Sequence, residues 1–138
     1  MRVGIVISNH GAEPETEKKM KEQFKLDEVL YFKHPDIDPR FTKEQVWEMA
    51  GKFLQEEVAK RIWALADNDI EKALERTPVV AIINGEYGFS TACVSLLQQE
   101  PKIPCYYPTT ERGATEELQK DNSIKTTHIY KFVQFRDW

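Results

Sequence analysis

The chain has 138 residues, of which 41% are hydrophobic and 30% charged, and a formal net charge of −4. These proportions fit one soluble globular domain over 1–138, long enough to bury about two thirds of the surface its unfolded chain exposes. The acidic balance argues against a protein that coats long DNA or RNA. No apolar run nears the roughly 20 residues of a membrane span.

The apolar part of the N-terminal segment is too short for a signal peptide and reads as a first strand over 2–8. Ser8-Asn9-His10-Gly11 follows. From 13 to about 23 the chain reads as a helix, with Pro14 in its first turn and acids ahead of Lys18 and Lys19. A second strand is expected over 26–32. The two prolines of His34-Pro35-Asp36-Ile37-Asp38-Pro39 make that segment a connection.

Thr42 and Gln45 form a capping box that opens the longest helix. Val46, Met49, Ala50, Phe53, Val58, Ile62 and Leu65 supply its apolar stripe, flanked by Trp47 and Trp63, which are expected to pack or to meet a subunit. The helix falters near Asp67-Asn68-Asp69, and a shorter one runs over 70–76.

Pro78 starts the central strand. Val79-Val80-Ala81-Ile82-Ile83 is a continuous apolar run, the habit of a parallel strand covered on both faces. It breaks at Asn84-Gly85, turns through Gly88 and enters a helix over 90–99, with Phe89, Ser90 or Thr91 expected at the N-cap or in the first turn. Strand, glycine turn and helix place backbone N–H groups where anions bind. The Gly-x-x-Gly spacing matches neither the Walker A pattern nor the dinucleotide fingerprint. Alone, the loop reads as a tight turn whose glycines provide positive φ.

Pro101 and Pro104 bracket a turn into a short strand at Cys105-Tyr106-Tyr107. Thr109-Thr110-Glu111-Arg112 is expected as a polar loop, and 115–135 as a β-hairpin turning at Asp121-Asn122. Cys93 and Cys105 read as buried free thiols in a reducing cytosol. His10, His34 and His128 lack metal-ligand spacing, so no metal is expected.

The fold expected is α/β: a Rossmann-like, mostly parallel sheet with flanking helices and a C-terminal β-hairpin. With strand order 2-1-3-4, Ser8-Asn9-His10-Gly11 lies beside Asn84-Gly85-Glu86-Tyr87-Gly88. Thr109-Thr110-Glu111-Arg112 is expected at the same edge, where ligands of such folds bind.

Several motifs recur together: Ser8-Asn9-His10; Gly85-Glu86-Tyr87-Gly88-Phe89-Ser90; Thr109-Thr110-Glu111-Arg112; Asp121-Asn122-Ser123; and His128-Ile129-Tyr130-Lys131-Phe132-Val133-Gln134-Phe135-Arg136. In these the chain resembles the small CRISPR-associated proteins of the Csx type, grouped with ring nucleases and sharing the CARF-like Rossmann design. The resemblance covers 1–11 and about 79 onward, but not 12–77. The chain departs from the family pattern at Asn9, Tyr87, Phe89, Ser90 and Asn122. The resemblance implies a cytoplasmic protein that binds a cyclic oligoadenylate, with cyclic tetra-adenylate the foremost candidate. It implies cleavage to linear products with a 2′,3′-cyclic phosphate, which switches off type III CRISPR signalling. No cofactor is implied. The ring's two-fold symmetry suits a C2 homodimer.

Such cleavage needs the ribose 2′-OH held in line with the phosphorus and the developing charge stabilised. Loop amides from Gly85 to Phe89 and the hydroxyls of Ser8, Ser90 and Thr91 suit that task. Asn9, Tyr87, Gly88, Thr109 and Thr110 complete the expected contacts. Arg112 either neutralises phosphate or pairs with Glu111 or Glu116. His10 is the candidate for proton transfer. Glu86 either points away, binds a ribose hydroxyl or acts as base. Two other readings stand beside the enzyme: a protein that binds the same ligand without cutting it, and an adaptor that uses its sheet edge and tryptophans.

Overall fold

The computed structural model describes residues 1–9, 13–99 and 102–138, with Arg112, His128, Ile129 and Tyr130 described by backbone alone. The expectations for His10, Gly11 and Pro101 lie outside the described residues. The apolar runs form β1 (Val3–Ser8), β2 (Glu28–Lys33) and β3 (Pro78–Asn84), and the chain closes with β4 (Cys105–Leu118) and β5 (Ile124–Asp137). These strands make one sheet in the order β2-β1-β3-β4-β5. All pairings are parallel except β4 with β5. The result is a mixed α/β fold with a mostly parallel central sheet, compatible with a Rossmann-like design.

Interior strands need cover on both faces. On one face, α1 (Pro14–Phe24) packs Met20 against Val6, Val80, Ile82 and Phe135. Gly4 makes that approach possible, because a Cβ there would stand 2.6 Å from Leu26 Cδ1 and 2.7 Å from Met20 Cε. On the other face, Ile5, Ile7 and Ile83 meet α2 (Lys43–Lys52) and α5 (Tyr87–Leu97). Fully burying one such side chain contributes roughly 1.5–3 kcal/mol.

Thr42 caps α2 as its sequence dictates: Gln45 N–H donates to Thr42 Oγ1 at 3.2 Å, and Thr42 N–H donates to Gln45 Oε1 at 2.8 Å. The helix then widens into a π-helical segment (Phe53–Ala59) before α3 (Lys60–Leu65). This accounts for the five-residue step from Phe53 to Val58 in the apolar stripe, since π turns close i→i+5. Trp47 packs against the core, and Trp63 is 41% exposed. Asp67 and Asn68 take left-handed backbone, which ends the long helix, and Asp69 caps α4 (Ile70–Glu75).

Three expectations are corrected. Thr109-Thr110-Glu111-Arg112 is strand, not loop: β4 continues through it, paired with β5 from Gln134 to Tyr130. The hairpin therefore begins well before 115. Pro108 is tolerated because the recorded β3–β4 pairs end at Ile82–Tyr106, so β4 has a free edge by then. Finally, no glycine among the described residues has positive φ. Residues 85–88 turn without it.

Candidate functional site

The carboxyl ends of β1 and β3 lie side by side, with Ser8 opposite Asn84 on the last shared rung. From there the chain departs in opposite directions. The α1 helix covers the Met20 face and α5 covers the Phe89 face. Diverging connections at neighbouring parallel strands leave a crevice, the position where open α/β sheets take ligands.

His34 holds this corner together. It follows β2 directly, is 2% exposed, and donates its backbone N–H to Ser8 O at 3.0 Å. Its Nε2 accepts the Glu86 N–H at 3.2 Å, so the ring proton belongs on Nδ1, which donates to Pro35 O at 2.7 Å. Its ring meets Phe89 edge-on, with centroids 4.6 Å apart. Gly85 lies against the same ring, and a Cβ there would come within 2.6 Å of Nε2. Gly85 is thus a glycine for close approach. One residue therefore ties the corner together, its backbone to the end of β1 and its imidazole to Pro35 and to the loop after β3.

Glu86 is the N-cap of α5, and of the residues expected at the N-cap or in the first turn Phe89 and Ser90 fall in the first turn, with Thr91 just beyond it. Its carboxylate accepts Gly88 N–H at 3.0 Å and Phe89 N–H at 2.7 Å. The anion site at this helix terminus is thus occupied by the chain's own carboxylate. Gly88 is less constrained than Gly85, since its nearest foreign atom to a Cβ is Glu86 Oε1 at 3.2 Å.

The other expected site residues divide sharply. Tyr87 is 76% exposed at the head of α5. Thr91 donates its hydroxyl back to Tyr87 O at 2.6 Å. Phe89 and Ser90 are fully buried, Phe89 packing also on Phe53 at 5.5 Å. The Ser90 hydroxyl has no hydrogen-bond partner among the described residues. Both belong to the core beneath the crevice rather than to its surface. Ser8 and exposed Asn9 close β1 at the crevice. His10 lies outside the described residues. Thr109 is just past the carboxyl edge of β3 and donates its hydroxyl to Gln134 O at 3.2 Å. Thr110 and Arg112 lie farther along β4.

The structure adds one residue that the sequence reading left unassigned. Trp138 donates Nε1–H to Ile83 O at 3.1 Å, beside the crevice, and meets the Tyr107 ring at 5.2 Å. Arg136 stacks over Tyr107 at 5.7 Å and donates to its hydroxyl at 3.4 Å, which supports the hairpin. Burial pushes the Cys93 thiol up to about 12, with Cys105 adding to the effect, and Cys105 up to about 11, so neither is a ready nucleophile. A separate open groove of about 590 Å³ lies between β2 and the π segment, with Lys33, Glu57 and Arg61 among its lining. No helix among the described residues is long and apolar enough to cross a membrane.

The chain belongs to the family described as Uncharacterized protein MJ1673 family, whose profile matches residues 2–136. No curated protein and no solved structure matches it.

Proposed function

We propose that the chain is a CRISPR-associated ring nuclease with a CARF-like Rossmann domain. It binds a cyclic oligoadenylate, foremost cyclic tetra-adenylate, and cleaves it to linear products with a 2′,3′-cyclic phosphate. It acts in the cytoplasm as a C2 homodimer. The observation that carries the reading is the crevice itself: Ser8 and Asn9 beside Asn84 and Gly85, where the connections diverge. The motif resemblance supports the ligand class.

In this reading Tyr87 offers an exposed ring on which an adenine stacks. Asn9 and the backbone at Gly85 approach the sugar–phosphate, and His10 is the candidate for proton transfer. Phosphate meets the Gly88 and Phe89 amides only when the Glu86 carboxylate gives way. Cleavage then rests on holding the 2′-OH in line rather than on one indispensable side chain.

One observation favours the non-cutting alternative. Glu86 is engaged as a cap and Ser90 is buried, which leaves few free groups for catalysis. Incubation with labelled cyclic tetra-adenylate in EDTA separates the readings. Linear products support the nuclease, and intact retained ligand supports the binder. No retention refutes both and favours an adaptor.

A further inference from the structure

The three parallel strands β2, β1 and β3 end level with one another. Lys33 pairs with Ser8, and Ser8 with Asn84, so the last rung of the sheet runs Lys33–Ser8–Asn84. Side chains on a strand alternate between faces. Phe32, Ile7 and Ile83, one position earlier, belong to the Phe89 face. Tyr31, Val6 and Ile82, two positions earlier, belong to the Met20 face. Lys33, Ser8 and Asn84 therefore share the Met20 face, at the carboxyl edge where the crevice opens.

This rung differs from those beneath it. The same face reads Val29–Gly4–Val80 and then Tyr31–Val6–Ile82, as cover by α1 requires. At the last rung it turns polar, with Lys33 and Asn84 exposed and Ser8 half-buried. Lys33 makes no ion pair among the described residues, and neither it nor Asn84 makes a side-chain hydrogen bond there. As the edge-strand member, Lys33 also borders the groove beside the π segment, yet it pairs with neither Glu56 nor Glu57 of that lining. Its charge is left to the rung, a local positive site in a chain whose net charge is −4.

The chemistry of the row selects its ligand. An ammonium only donates, whereas a carboxamide and a hydroxyl both donate and accept. With strands about 4.8 Å apart, the row spans about 10 Å. It holds no carboxylate to attract a cation and no ring on which a base could stack. One cation beside two neutral donor–acceptor groups fits an anionic group flanked by hydroxyls, the form of a sugar–phosphate unit.

We propose that this rung is the phosphodiester-binding subsite of the crevice, with Lys33 as its cation. The Lys33 ammonium meets a non-bridging phosphate oxygen. Asn84 donates to the same phosphate and accepts from a ribose hydroxyl, with Ser8 between them. This contact needs no displacement of the Glu86 carboxylate, which already holds the amides at the head of α5. The assignment rests on the nucleotide reading above and names the residues that bind its backbone.

Filter binding of labelled cyclic tetra-adenylate and of linear tetra-adenylate, over a series of salt concentrations, tests it. Lys33→Gln should weaken retention about tenfold. It should also lower the slope of log affinity against log salt by about 0.7, the share of one phosphate contact on a single strand. Lys33→Arg should keep the slope. Asn84→Ala should weaken retention and leave the slope unchanged. Unchanged urea midpoints check that each variant folds as the wild type does. A Lys33→Gln protein with the wild-type slope, whatever its affinity, overturns the subsite and leaves the nucleotide reading standing. Retention of the linear probe alone, with a slope that falls in Lys33→Gln, supports the subsite and counts against the cyclic ligand. A wild type that retains neither probe overturns both.

Discussion

Gly85→Ala is the smallest change that tests the corner built on His34. The added carbon would stand 2.6 Å from Nε2 and 2.8 Å from Cγ of a ring that is 2% exposed. The ring cannot swing away without losing the Glu86 N–H and its edge contact with Phe89. Overpacking of this kind costs about 1–3 kcal/mol. The lost hydrogen bond costs about 1 kcal/mol more. Lower unfolded-state entropy returns about 0.4–1 kcal/mol. The net expectation is a destabilisation of about 2 kcal/mol. For 138 residues the unfolding entropy is about 290 cal/mol/K, so the midpoint should fall by about 7 °C. Thermal and urea unfolding measure this directly. Gly51→Ala is the control: it sits in α2 with nothing within 4 Å of a Cβ, and should be neutral or stabilising. In a His34→Ala background, Gly85→Ala should cost little, because the ring it strikes is gone. A Gly85→Ala protein as stable as the wild type would refute the wedge.

Two other perturbations address the cap and the thiols. Glu86→Ala should destabilise the fold by about 1 kcal/mol as the α5 cap is lost, yet strengthen retention of cyclic tetra-adenylate by freeing the Gly88 and Phe89 amides. Equal or weaker retention in a filter-binding assay would mean that those amides do not meet the ligand. The thiols predict an alkaline limit. Both Cys93 and Cys105 have folded values above their ordinary 9.0, so their stabilising effect is complete below about 9 and is lost as pH rises towards about 11–12. The loss is about 1.4 kcal/mol per thiol per pH unit within that window. Urea midpoints measured from pH 8 upward should fall, and Cys93→Ala should flatten the slope; an unchanged slope would refute the assignment.

The sheet was legible in the sequence because its signals are local or topological. The apolar run over Val79–Ile83 needs cover on both faces, and alternating strands and helices dictate parallel pairing. Once β1 and β3 are neighbours, Ser8 must meet Asn84. What stayed hidden depends on contacts between distant residues. Nothing in the neighbourhood of His34 says that its ring will lie against Gly85, 51 positions later. Glu86 was hidden for another reason: short polar side chains are the usual N-caps, so a glutamate ahead of Tyr-Gly-Phe read as a loop acid. The π segment did leave a trace, the step of five from Phe53 to Val58 within a stripe of threes and fours. The hairpin was misread because Pro108 and Gly113 are strand breakers only where a strand has neighbours on both sides. Past Tyr106 the recorded pairing of β4 is to β5 alone. Local propensity there reports the absence of a neighbour rather than the absence of a strand.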